Sequence, residues 1–592
     1  MNTSSSDLED FEKNSPPEKF EINAPSNNKL LPSANASVSR PQGKLVEIDW
    51  SQEADKMPSA SSEDFLTGIE SSARKQTDRF PKSSRAHANL GVALLKHGRA
   101  EDALQELELA LKLDPRNYLA SVTLARLHFT QGRFIESQCI YERLVRDFPS
   151  DSAAKVGLSN LLIRTERYDE AHIHLREAVV IAKRDPYVHF LLGLVCVRRA
   201  DLRCALAEFR AASNLDGRNP NIYHAIGVTY ALQGDHARAE KAFKTALMLA
   251  PDSPATVMGL AQTFCAFKKA QSAIEILEEY IGSHPQDIEA RELLANVFMQ
   301  SERYAAARSQ LRQVLEAPAG ALPPVDLARY HANIAVSFLR ERSFKNAETE
   351  LKLAISIAPR ESHIPYTNLA RVYALTNRIP LGIALLEGVL DHYASNPDIR
   401  TLLSVLYAEQ EEYTKAIWHL EAGRRNDLLT DENYAMLGHF YAEALSRDTA
   451  IQVLMEGYAK FPKSRHIINN LAYFLLEGGW TSQAKEVLSN RPVGWDSNVE
   501  LVATVGLLHL HEGNYEAGKA MYKRAEGLAI KSSRKLFARR VRQKMHLELA
   551  RYYKSKGQFD LARREIAAGM REKVEKLSYK KELEHLEKNL RE

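Results

Sequence analysis

Small residues recur along this chain in a fixed register. Gly91, Ala125, Ser159, Gly193, Gly227, Ala261 and Ala295 stand 34 residues apart. Twelve residues after each comes a second small residue: Ala103, Ser137, Ala171, Ala205, Ala239, Ala273 and Ala307. Pro115, Pro149, Pro251 and Pro285 close four of these units. The register predicts two antiparallel helices per unit, because helices approach closely only where their side chains are small. Ile226, Tyr230 and Phe243 fill the space beside the crossing, and a turn such as "QGDH" (233–236) stops the first helix. The proline ends the second helix and starts the next unit. One such pair cannot bury its own apolar face, so the units must stack. The predicted fold class is all-α, a solenoid of antiparallel helix pairs.

Past residue 307 an insertion, "EAPAGALPPVDL" (316–327), delays the next unit, marked by Ala335, Ala347 and Pro359. Then follow Ala370 with Gly382, Ser404 with Ala416, Gly438 with Ala450, Ala472 with Ala484, and Gly506 with Gly518. A second insertion, carrying "KSSRKLFARRVRQ" (531–543), precedes a last unit with Ala550 and Ala562. About fourteen units result. The expected organisation is a disordered tail over 1–60, a lead-in helix over 61–83 and repeats 1–7 over 84–317. A Pro/Ala-rich insertion at 318–327 follows as a hinge, then repeats 8–14 over 328–575 and a capping helix over 576–592. The 34-residue period and the small–small–Pro pattern resemble the tetratricopeptide repeat, over roughly four-fifths of the chain. The resemblance implies a right-handed superhelix whose first helices line a concave groove. Gly217 and Lys183 replace the terminal Pro, and Gly382 and Gly518 take the second small position; those units should pack more loosely.

The 592 residues are 44% apolar and 26% charged, with a net charge of +3, so no global field calls for nucleic acid or a membrane. Four cysteines, Cys139, Cys196, Cys204 and Cys265, fall in helical patterns without zinc-ligand or redox spacing. They read as small buried hydrophobes in a reducing compartment. The acidic start "MNTSSSDLEDFEKNSPPEKF" is unlike a signal peptide, and "FLLGLVCV" (190–197) is too short to span a bilayer. A cytoplasmic location is the expectation. Phosphate-loop, H-E-x-x-H and G-x-S-x-G motifs are missing. His172/His174 and His509/His511, spaced i, i+2 on a helix, face different ways and cannot share a metal. The chain therefore reads as a non-enzyme, with no cofactor and no metal site.

Function must then come from surface. By the resemblance, the groove is lined by set first-helix positions, and position six holds Asn89, Asn333, Asn368 and Asn470. This resembles in part the asparagine ladder of the O-linked N-acetylglucosamine transferase superhelix, which implies a grip on the backbone of an extended peptide. The alternative is that these Asn simply suit an exposed helix position. Arg85, Arg126, Arg164 and Arg198 occupy groove positions in the first four units, and Glu432, Glu443, Glu477 and Glu500 in units eleven to thirteen. Such polarity would orient an extended ligand or favour self-association. Tyr187, Phe190 and Met258 would add apolar affinity. A clamp for a C-terminal carboxylate is not expected, since Ala88 and Val92 stand where Lys and Asn are wanted.

The flanks carry opposite charge. Residues 1–80 hold 14 acidic against 9 basic residues, and residues 531–592 hold 19 basic against 9 acidic. Arg534, Lys535, Arg539, Arg540, Arg542 and Lys544 form a basic patch. It reads either as a solvated helix face or as a surface for an acidic partner or an RNA backbone. The lone Phe537 offers no stacking ladder, which counts against nucleic acid. "KLVEIDW" (44–50) is an apolar island in the tail, a structural scrap or a docking motif. The expected function is a scaffold or adaptor whose partners are proteins, bound through an extended segment. An assembly or secretion chaperone and an RNA-associated protein are the alternatives.

Overall fold

The structure is a computed structural model that describes residues 63–316, 318, 320, 322–444, 446–532, 534–574 and 579–590. The tail expected over 1–60, with its "KLVEIDW", lies outside the described residues. Among these residues a lead-in helix, Glu63–Arg79, is followed by fourteen helix pairs and a closing helix, Lys580–Lys588, with no strand. Most first helices have 13 residues and most second helices 14, as in Pro220–Leu232 with His236–Leu249. The contacts divide the chain into two compact units, one ending at Val314 and the other resuming at Leu315.

The residues that begin each helix share the 34-residue register. Asn117, Asp151, Asp185, Asn219 and Asp287 cap first helices by accepting a backbone N–H, as do Asn396, Thr430, Ser464 and Asn498 further on. Each satisfies a donor that the helix start would leave open. The turn between helices needs one left-handed residue. Gly234 supplies it at φ 78°, whereas Lys268 holds the equivalent place at φ 57° with a side chain and pays steric strain.

The small residues do what their spacing predicts. A Cβ added at Gly227 would come within 2.8 Å of the Phe243 ring, and one at Gly193 within 2.5 Å of Phe209. In the unit ending at Val314 a continuous core runs from Ala125 to Ala307; in the other, one runs from Tyr366 to Leu549.

Two expectations need correction. Gly382 and Gly518 do not loosen their pairs: a Cβ would meet Ala370 O at 3.1 Å and Leu510 Cδ2 at 2.6 Å, because glycine lets the backbones close up. Part of the segment 318–327 is helical, since Pro323 and Pro324 start the 17-residue helix Pro324–Arg340. The second insertion is helical. It lengthens two helices, Tyr515–Lys531 to 17 residues and Lys535–Ser555 to 21.

Candidate functional site

Consider first the unit ending at Val314. Arg198 is exposed on the first helix of pair four, and Arg85, Arg126 and Arg164 are exposed on those of pairs one, two and three. Relative to the start of their own helices the last three stand seven and then four positions further along. At about 100° per residue that places them on one helix face. Tyr187 is half-buried and its hydroxyl accepts from Asn160 Nδ2 at 3.4 Å; Met258 is half-buried too. Phe190 is not a surface residue. It is 3% exposed, with its ring 5.8 Å from that of Phe209, because its helix position turns inward onto the partner helix.

The four asparagines are not equivalent. Asn89 and Asn333 are half-buried, whereas Asn368 and Asn470 are buried. Asn368 Oδ1 accepts from Arg371 at 2.9 Å. Asn470 Nδ2 donates to the Ala435 carbonyl of the preceding first helix, and its Oδ1 accepts from Asn469, whose own Oδ1 accepts from Thr504. That chain of bonds stitches three successive first helices together. The amide of Asn470 is therefore engaged in packing between first helices.

The basic patch and the acidic residues opposite turn out to be partners. Arg534 meets Glu500 at 3.0 Å, Arg542 reaches Glu526 and Glu572, and Lys544 lies 2.9 Å from both Glu477 and Glu548. Lys544 is 6% exposed. Burial opposes its charge, but the Tyr473, Glu548, Tyr579 and Glu477 oxygens outweigh it and hold the ammonium well above its usual pKa. The Arg540 guanidinium lies over the Tyr579 ring, and only Lys535 and Arg539 of the patch are exposed. The result is a cavity of about 70 Å³ lined by Asn469, Tyr473, Glu500, Thr504, Arg540 and Lys544 among others. Neither the solvated helix face nor a free polyanion surface describes most of this segment. Glu443 is exposed, and Glu432 is half-buried, 4.0 Å from His466.

One recurrent feature escaped the sequence. His87, His189, His331 and His546 each place Nδ1 2.6–2.7 Å from a Glu nineteen residues on: Glu106, Glu208, Glu350 and Glu565. The fixed separation was readable, since each pair joins equivalent positions of the two helices in one unit. For His87, burial lowers the pKa but the Glu106 and Pro81 bonds outweigh it and raise it overall.

The cysteine reading also fails in part. Cys196 and Cys204 are joined in a disulfide across a three-residue turn, with Cα atoms 5.9 Å apart, and Cys139 is exposed. A separation of eight brings them together because the two helices run antiparallel from the turn. The ring of His172, on the preceding pair, offers a nitrogen within 4.8 Å of both sulfurs. Testing histidines only against one another overlooked donors from a neighbouring unit. No helix of the described residues is long and apolar enough to cross a membrane.

Comparison with known proteins agrees with this architecture. Tetratricopeptide repeat family models match residues 94–138, 230–297 and 265–329, and residues 122–189. Over these spans the helix pairs are tetratricopeptide repeats. Anaphase-promoting complex subunit 3 of Schizosaccharomyces pombe is 27% identical over 168 residues, 26% of this chain and 25% of that protein. DnaJ homolog subfamily C member 3 of Rattus norvegicus is 23% identical over 280 residues, 39% of this chain and 51% of that protein. The chain thus spans between a quarter and about half the length of these relatives. The solved Cut9–Hcn1 hetero-tetramer of the APC/C aligns with 86% of this chain and 96% of its own at 12% identity and a TM-score of 0.35.

Proposed function

We propose that this chain is a protein-binding scaffold that holds an acidic, extended segment of a partner on the first-helix face of residues 84–314. The observation that carries the reading is the exposure of Arg85, Arg126 and Arg164 on one face of three consecutive pairs. Guanidinium groups bind carboxylates through paired, charge-assisted bonds, and a row of them attracts and orients an acidic chain. In the other unit Glu477 and Glu500 already pair with basic residues, and Asn470 bonds its own array. Their surfaces therefore offer less to a ligand. Similarity to a subunit of a named complex supports a role in assembly rather than catalysis. A cytoplasmic location belongs to the same proposal.

The test is affinity capture from native lysate with the intact chain and a folded Arg85→Glu/Arg126→Glu/Arg164→Glu variant, before and after nuclease treatment. A scaffold retains a stoichiometric partner through nuclease and loses it in the variant. Identical partners on both forms would refute the arginine face. Capture abolished by nuclease would favour the RNA reading, and many substoichiometric clients the chaperone reading.

A further inference from the structure

We propose that His172, Cys196 and Cys204 form a binding site for zinc(II), available when the Cys196–Cys204 disulfide is reduced. Three elements converge on it: helix Tyr168–Ile181 carries His172, helix Pro186–Arg198 carries Cys196, and helix Leu202–Leu215 carries Cys204. One donor atom from each lies within 4.8 Å of the other two. Tetrahedral zinc, with Zn–S near 2.3 Å and Zn–N near 2.0–2.1 Å, sets its donors about 3.6–3.8 Å apart. Cα atoms 5.9 Å apart let two thiolates part to that separation without moving the helices. Two thiolates and an imidazole are a donor set that selects zinc among the common divalent ions, and water completes the fourth position.

The surroundings hold these donors in place. Asp201 caps the second helix by accepting from the Cys204 N–H at 3.0 Å. Arg199, in the turn, pairs with Asp169 at 2.7 Å, and Asp169 lies one helical turn before His172. That ion pair ties the imidazole's helix to the turn that bears both sulfurs. Arg176 and Arg199 are balanced by Asp169 and Asp201 around the imidazole, so two thiolates leave the site negative and suited to a dication. Cys196 is fully buried, while His172 and Cys204 are partly exposed and give the ion an entry.

The chemistry balances with an external dithiol as reductant. The dithiol gives two electrons and two protons to the Cys196–Cys204 bond and becomes a disulfide itself. The two thiols formed then release two protons as they bind zinc(II). The disulfide and the zinc dithiolate are thus alternative closures of the same turn, and the zinc form adds a link to the preceding unit through His172.

The experiment titrates the full chain, reduced and freed of reductant without oxygen, with cobalt(II) and then zinc(II). The expected result is one cobalt per chain with the thiolate charge-transfer and d–d bands of tetrahedral coordination, displaced by zinc. The signal should persist in Cys139→Ser/Cys265→Ser and vanish in the oxidised chain and in Cys196→Ser/Cys204→Ser. His172→Ala should weaken binding by at least the roughly 10–100-fold that loss of a ligand's supporting bond costs. Circular dichroism confirms that each variant is folded, and Cys204→Ser alone, at the more exposed position, serves if the double variant is not. A reduced chain without tetrahedral bands, or a His172→Ala variant with unchanged affinity, overturns the proposal.

Discussion

Replacing Lys544 by Met keeps the length and apolar stem of the side chain and deletes its charge. The ammonium lies 2.9 Å from Glu477 and from Glu548, whose side chains are 15% and 5% exposed. At that distance, with an effective dielectric near 20, each attraction is worth roughly 6 kcal/mol before desolvation is subtracted. Removing one partner of a buried pair costs about 3–5 kcal/mol, because the other charge stays buried and uncompensated. Arg551 lies 2.7 Å from Glu548 and 3.9 Å from Glu477, so it relieves part of the loss and the expected cost is about 3 kcal/mol. Hydrogen exchange reads it directly as the opening free energy of helix Lys535–Ser555. Adding Glu477→Gln and Glu548→Gln to the same variant should restore most of the stability, since Arg551 keeps Glu582. A cost below about 1 kcal/mol for Lys544→Met, near the ceiling for a surface pair, would show that the basic helix is not held by these carboxylates.

Three smaller perturbations follow from the same geometry. Gly227→Val pushes a side chain into the Phe243 ring, only 2.8 Å from the added Cβ; it should cost about 1–3 kcal/mol in denaturant unfolding. Lys268→Gly relieves a left-handed residue at φ 57° and should raise stability by up to about 1 kcal/mol, read as a higher thermal midpoint. Burial depresses the pKa of His224 to about 4, so the folded form resists a proton that the unfolded chain accepts. Its contribution is complete above pH 6.5 and is lost as pH falls towards 4. His224→Gln should therefore flatten the acid limb of the stability curve by up to about 3 kcal/mol.

The parts legible in the sequence share one physical cause. Gly193, Gly227 and their equivalents recur because every pair solves the same crossing problem, so helix order and pairing could be read without coordinates. The capping register at Asn117, Asp151 and Asp185 was equally periodic and could have been found, as could the His–Glu pairs. The site was less legible because its contacts cross units. Glu477 and Lys544 are 67 residues apart, and nothing local to either names the other. Phe190 looked like a surface residue because family position alone says nothing about the ring of Phe209. Cys196 and Cys204 were read as unpaired because motif spacings describe loops and single helices, not the two sides of an antiparallel turn.

The most direct test of the scaffold reading is hydrogen exchange on the full chain, free and in complex with its captured partner. The account predicts new protection on the first helices Ser84–Lys96, Tyr118–Thr130 and Ser152–Arg164, weakened in the arginine variant. Protection confined to helix Lys535–Ser555, or to second helices alone, would contradict it.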